Sequence, residues 1–281
     1  TAAMATGTSL CYMIDKYPER TFDVGISEGH AVTFAGGLAK EGLRPYCCIY
    51  STFLQRAYDN IVHDVALQNL PVVFCIDRGG LVGDDGATHQ GVFDLAYLRT
   101  IPNMVITAPY DEHYLRNLLY TAQYSESPIS IRYPRGKGNL KEWRNDMQKL
   151  PLGKGRKLSS GDATAILSIG TIGQNAAKAV EKLRETGIEC AHYDMIYLKP
   201  IDESILEEVA AKYSTIVTLE EGTVNGGLGS AVMEWLNDKG RNVRVVRLGV
   251  PDRFIKHATV AEQQAECGID TDSIVETVKK L

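Results

Sequence analysis

The chain has 281 residues, 44% hydrophobic and 23% charged, with a formal net charge of −5. That length holds two ordinary domains, and charges of both signs scattered along it exclude the clustered basic surface of a nucleic-acid binder. No apolar run reaches the length of a membrane span.

The opening Thr-Ala-Ala-Met-Ala-Thr-Gly lacks the basic flank and hydrophobic stretch of a signal peptide. Helical spacing begins at once (Ser9, Leu10, Tyr12, Met13) with no strand before it, so the chain reads as a piece of a longer one. Phe22 to Ile26 reads as a short strand running into a helix that Ser27 can cap. Small apolar residues line that helix, and Glu28 at its mouth is either an acid favoured by the helix dipole or a buried carboxylate kept for chemistry. Tyr46–Tyr50 is a strand, and apolar positions from Leu54 to Ala66 predict one helix over 53–68. Val72–Ile76 is wholly apolar, as in a buried parallel strand.

The loop from Asp77 to Gly91 is long, rich in glycine and dense in hydrogen-bonding groups, which marks it as functional or disordered. A helical turn (Phe93–Leu98), a strand (Met104–Ala108), a helix (Glu112–Tyr124) and a strand (Ile129–Tyr133) follow. From Lys137 to about Ser160 periodicity stops, and we read 146–160 as a linker between a domain over 1–145 and one over 161–281. The second unit again alternates strands and helices, which predicts an α/β protein of two consecutive parallel-sheet domains. Its Glu220-Glu221-Gly222 and Gly226-Gly227-Leu228-Gly229 stretches read as turns and a helix start. Six cysteines form no C-x-x-C pair, which disfavours a zinc or redox site and suits buried thiols in a reducing, cytoplasmic setting.

In a parallel sheet the carboxyl ends of the strands face one edge, where ligands bind. Glu28, Tyr50, Arg78, Asp85, His89 and Arg135 fall at such ends or in the loops after them, with Arg56 one turn into a helix. Each also has a purely structural reading: Arg56 as a solvated helix residue, Arg78 as a bridge to the acidic loop, Asp85 as a turn residue before Gly86, His89 as a loop histidine, Tyr50 as a packed strand aromatic.

Three runs carry a resemblance: Phe-Asp-Val-Gly-Ile-Ser-Glu-x-His-Ala-Val-Thr from Phe22, Ile-Tyr-Ser-Thr-Phe-Leu-Gln-Arg-Ala-Tyr-Asp from Ile49, and Asp-Arg-x-Gly-Leu-Val-Gly-x-Asp-Gly-x-Thr-His-Gln-Gly from Asp77. With Tyr-Leu-Arg-x-Ile-Pro-Asn-Met and Ile-Arg-Tyr-Pro-Arg-Gly, they resemble the 1-deoxy-D-xylulose-5-phosphate synthases, thiamine-diphosphate enzymes of the transketolase type, over essentially the whole chain. The resemblance implies the pyrimidine-binding and C-terminal domains of a homodimeric enzyme that condenses pyruvate with glyceraldehyde 3-phosphate, releasing CO2, for isoprenoid biosynthesis. It implies that Glu28 bonds N1′ of the cofactor and that Phe53 packs on the aminopyrimidine. Tyr50, Arg56, Asp85 and His89 line the substrate side, His89 with a catalytic role, and Arg78 and Arg135 hold the aldehyde's phosphate. Gly29 departs from the family's usual Gln.

The Gly-Asp-Gly…Asn motif for Mg²⁺ and diphosphate is not matched, since Gly83-Asp84-Asp85-Gly86 has the wrong spacing. The expectation is therefore no metal ligand in this chain, Mg²⁺ and diphosphate being held by a missing N-terminal domain, and no turnover by the chain alone. The alternatives are the β subunit of a 2-oxo acid dehydrogenase, the C-terminal half of a split transketolase, and a non-catalytic assembly module.

Overall fold

The computed structural model describes residues 1–144 and 146–281. Asn145, at the expected domain boundary, lies outside the described residues. Two five-stranded sheets form among these residues, each with one antiparallel edge strand. The first runs β1 (Tyr46–Tyr50), β2 (Val73–Asp77), β4 (Ile129–Arg132), β3 (Val105–Thr107) and β8 (Tyr197–Lys199). The second runs β10 (Arg244–Val250), β9 (Thr215–Thr223), β6 (Ala165–Ile169), β7 (Ala191–Asp194) and β5 (Arg156–Ser159). β2 and β6 are buried along their whole length and are mostly apolar, with Asp77 at the end of β2 and Ser168 within β6.

Four local expectations need correction. No strand forms over 22–26. Its backbone ties are to Thr1 (Val24 N–H to the Thr1 carbonyl, 3.0 Å), and Asp23 Oδ1 accepts from Gly25 N–H at 3.0 Å, turning the chain where Gly25 takes φ +73. Ser27 is the residue before the Glu28–Lys40 helix, but its side chain makes no capping bond. The helix expected over 53–68 is instead a succession: α-helix Ser51–Leu54, 3-10 turn Gln55–Ala57, α-turn Tyr58–Asn60 and π-helix Ile61–Ala66. Arg156–Ser159, inside the segment read as linker, is the edge strand β5, anchored where Arg156 Nε meets the buried Asp194 carboxylate at 3.1 Å. β8 had no counterpart in the reading. It belongs by sequence to the second unit yet completes the first sheet, pairing with β3.

The units are joined by polar fasteners around an apolar core. Arg132, at the end of β4, is buried with Asp94, their Nε–Oδ2 distance being 2.9 Å. Its Nη2 also donates to the carbonyls of Gly91 (3.1 Å) and Glu221 (2.6 Å). Arg99 makes two bonds to Glu234, at 2.7 and 2.6 Å, and a third to the Gly226 carbonyl. Glu220, also buried, accepts N–H bonds from Leu228 and Gly229 at 2.9 and 3.0 Å. The N-terminus of the Leu228–Asp238 helix is thus filled by the chain's own carboxylate, and a Cβ at Gly227 would collide with it.

Two measurements test these packing claims. Removing one partner of a buried ion pair strands the other charge, so Arg132→Met is expected to cost about 3–5 kcal/mol in urea unfolding, and Arg132→Met with Asp94→Leu distinctly less. His192, buried beside Ser168 (Oγ to Nε2 2.8 Å) and near Arg156, is pushed down to about 4 from 6.5, chiefly by burial. Below about 6.5 the unfolded chain takes a proton that the folded one refuses. Relative to His192→Gln, the protein should therefore lose up to about 3 kcal/mol as pH falls from 6.5 to 4. Equal pH slopes for the two proteins would refute this.

Candidate active site

The register Tyr50↔Asp77 brings the ends of β1 and β2 to one edge. Tyr50 is buried, and its ring lies under the Arg78 guanidinium (4.1 Å to the centroid) and parallel to Phe53 at 5.5 Å and 9°. Burial raises its phenol above the ordinary range, with Arg78 pulling back. His89 meets the Phe53 ring edge-on at 5.4 Å, while Arg56 stands 5.1 Å from the centroid of that ring. Arg56 Nη1 then donates to Glu28 Oε1 at 2.7 Å. Glu28, Arg56, Phe53, Tyr50, Arg78 and His89 thus form one continuous cluster. Asp85 pairs with Arg135, whose Nε lies 3.4 Å from Asp85 Oδ2 and whose Nη1 donates to the Val82 carbonyl at 3.3 Å.

The irregular helix explains part of this. A 3-10 turn followed by a π segment rotates side chains away from a regular stripe, and such π segments favour functional sites. Here Arg56, in the 3-10 turn, reaches Glu28 while Leu54, Ala57, Ile61 and Val65 remain in the core. Glu28 is 5% exposed, although it opens a helix rather than ending a strand. Among the described residues its second oxygen accepts no hydrogen bond. Gly29 leaves room that Asn60 fills: a Cβ there would lie 2.7 Å from Asn60 Oδ1, and Asn60 is itself bonded to Thr33 and Asp64.

Arg78 has a strained backbone, φ +58, a conformation that costs a side-chain-bearing residue free energy. Asp77 holds it there: one carboxylate oxygen accepts the Arg78 N–H at 2.7 Å, and the other pairs with its Nη1 at 2.9 Å. Burial raises the Asp77 carboxyl above its usual range, with Arg78 opposing. Arg78 Nη1 also donates to the Gly7 carbonyl, yet its buried Nε has no hydrogen-bond partner. An unpaired buried guanidinium donor invites an anionic acceptor. Sequence reasoning missed Asp77; an acid immediately before Arg78 at the end of an apolar strand was the available signal. The Asp77–Gly91 loop is closed by mutual backbone bonds between Gly80 and Gly91, 2.7 and 2.8 Å.

A cleft of about 600 Å³ opens between the two units, with Arg78 and Arg135 on one wall and Lys178, Glu221 and Gln264 on the other. Glu28, Phe53, Arg56 and His89 do not line it. They form a separate face joined to the cleft through Tyr50 and Arg78. Among the described residues no group of three or more His, Cys, Asp or Glu side chains is placed to hold a metal ion.

Residues 1–141 match the model of the transketolase pyrimidine-binding domain, and 153–274 that of the transketolase C-terminal domain. The chain is 57% identical over 281 residues to a 1-deoxy-D-xylulose-5-phosphate synthase of Parabacteroides distasonis, and 54% identical over 282 residues to that of Bacteroides fragilis. Each alignment covers 100% of the chain and 44% of the relative, so the chain spans less than half the length of these curated relatives. A solved structure titled as a split-gene transketolase, inactive β4 tetramer, superposes with TM-score 0.88 at 31% identity, covering 100% of this chain and 90% of that one. The chain belongs to the transketolase family, of which it carries the pyrimidine-binding and C-terminal domains.

Proposed function

We propose that this chain is the C-terminal part of a thiamine-diphosphate-dependent synthase that condenses pyruvate with glyceraldehyde 3-phosphate to 1-deoxy-D-xylulose 5-phosphate, releasing CO2. The observation that carries the reading is the joined cluster of Glu28, Arg56, Phe53 and Tyr50 beside two arginines at a cleft. The synthases' 57% and 54% identity, against 31% for the split transketolase, favours this over the alternatives.

The residues fit the pyrimidine end of the cofactor: Glu28 keeps one oxygen for N1′, and Phe53 supplies an aromatic wall. For the diphosphate and Mg²⁺ end the sequence has no matching Gly-Asp-Gly…Asn motif, Gly83-Asp84-Asp85-Gly86 having the wrong spacing. We therefore assign that end to the portion of the relatives that this chain does not span. When bound, thiamine diphosphate supplies the nucleophilic carbon and the electron sink for decarboxylation. Glu28 holds the proton at N1′, and Arg56 fixes the orientation of that carboxyl. Tyr50, Phe53 and His89 form an aromatic wall that excludes water, with His89 at hand to move a proton on the substrate oxygen. Arg78 and Arg135, each pinned by an aspartate, hold the phosphate of the aldehyde in charge-assisted bonds.

We place the enzyme in the cytoplasm, consistent with six free thiols, and expect self-association through the exposed apolar residues Tyr12, Phe22 and Ile26, as the tetrameric neighbour suggests. The chain alone should fold without turnover.

In the complete synthase, Glu28→Gln is expected to slow hydrogen–deuterium exchange at the cofactor's C2 by about 10²-fold or more with the melting temperature nearly unchanged. Exchange at the wild-type rate would remove Glu28 from its role. Arg135→Ala should raise KM for glyceraldehyde 3-phosphate roughly tenfold or more and spare pyruvate. A rise for pyruvate alone would mean that the arginine reads the other substrate.

A further inference from the structure

The second unit contributes a carboxylate to the cleft that the mechanism above does not use. Glu221 lies within the buried stretch of β9 and is 5% exposed, yet it lines the cleft with Arg78 and Arg135. It is held on one side only. Asn175 Nδ2 donates to Gln264 Oε1 at 3.0 Å, and Gln264 Nε2 donates to Glu221 Oε1 at 2.7 Å. All three residues line the cleft. Among the described residues Glu221 Oε2 accepts no hydrogen bond. It lies against Gly80, where a Cβ would collide with it, so the absence of a side chain at Gly80 lets the carboxylate approach the loop. Two residues further along that loop, the Val82 carbonyl accepts from Arg135. The free oxygen and the arginine therefore flank the same three residues of the loop and face one volume.

That volume of about 600 Å³ is larger than a phosphate needs, and charges of both signs line it. Arg78, Arg135 and Lys137 of the first unit line it with Lys178 of the second, among the acids Asp77, Asp111, Glu112 and Glu221. Burial pushes the Glu221 carboxyl up to about 6, with Gln264 and Arg132 opposing. A carboxylate beside an anion site repels a second anion but accepts hydroxyl protons well.

We propose that Glu221 reads a hydroxyl group of the ligand whose phosphate Arg78 and Arg135 hold, so that the cleft selects a phosphorylated hydroxy compound over a bare alkyl phosphate. This rests on the phosphate reading of the two arginines given above. It makes the C-terminal unit a contributor to specificity as well as a packing domain. Glu221 acts as a specificity residue, and Gln264 and Asn175 position it.

The test is calorimetric titration of the complete synthase with two unreactive probes, sn-glycerol 3-phosphate and n-propyl phosphate. The wild type should bind glycerol 3-phosphate roughly tenfold more tightly. Glu221→Ala should abolish that preference and leave the Kd for propyl phosphate within about twofold. Glu221→Gln keeps the shape and should retain a reduced preference, which separates lost recognition from lost folding. Arg135→Ala should weaken both probes and preserve their ratio. A preference that survives Glu221→Ala, no preference in the wild type, or equal weakening of both probes by Glu221→Ala would each overturn the role of Glu221. If neither probe binds the wild type, the phosphate reading falls, and this proposal with it.

Discussion

The structure depends most on one buried guanidinium. Arg132 closes β4 and is nine-tenths enclosed, a placement that costs several kcal/mol unless every donor finds an acceptor. It meets the Asp94 carboxylate, the carbonyl that closes the Asp77–Gly91 loop and the carbonyl of Glu221 in the other sheet. One side chain thereby fixes three things: the return of the glycine-rich loop, the helix that starts at Asp94, and the approach of β9 to the first unit. Close backbone packing follows from it, and a Cβ at Gly79 would lie 2.6 Å from Arg132 Cγ.

With that loop base fixed, the site can carry strain. Arg78 takes a left-handed backbone because Asp77 holds both its N–H and its guanidinium, and because the Gly91 α-carbon packs so closely that an added Cβ would strike the Arg78 carbonyl. The strained residue is also the one with an unpaired buried donor. Strain over-determined by its surroundings is how a protein aims a side chain at a ligand instead of at its own fold. On the other face, the π-helical segment keeps Ile61 and Val65 in the core while Arg56, earlier in the same run, turns towards Glu28.

Much of this was legible from residue order. The apolar run Val72–Ile76 announces β2, and Glu28 stood out as an acid at the mouth of an apolar helix. What was not legible depended on partners far away in sequence. β8 is three residues long and pairs antiparallel with β3 some 90 positions earlier, so no local period signals it. β5 reads as polar linker because it is an edge strand carrying Arg156 and Lys157, whose partners Asp194 and Glu208 come later in the chain. Phe22–Ile26 has strand composition, but its turn at Asp23 and Gly25 prevailed. The break of the 51–66 helix into short forms also leaves no trace in hydrophobic spacing, since all these forms bury a similar stripe. Glu221 looked like half of an acidic turn because the hydrogen bond that orients it comes from Gln264, 43 residues later.

The central claim is that one face of the first unit takes the cofactor's pyrimidine while the adjoining cleft takes a phosphate. The most direct measurement is a crystal structure of the complete synthase with thiamine diphosphate and glycerol 3-phosphate bound. The account expects the pyrimidine ring against Phe53 with N1′ within hydrogen-bond reach of Glu28, and the phosphate between Arg78 and Arg135. A pyrimidine seated away from Glu28, or a phosphate on residues other than these arginines, would contradict it.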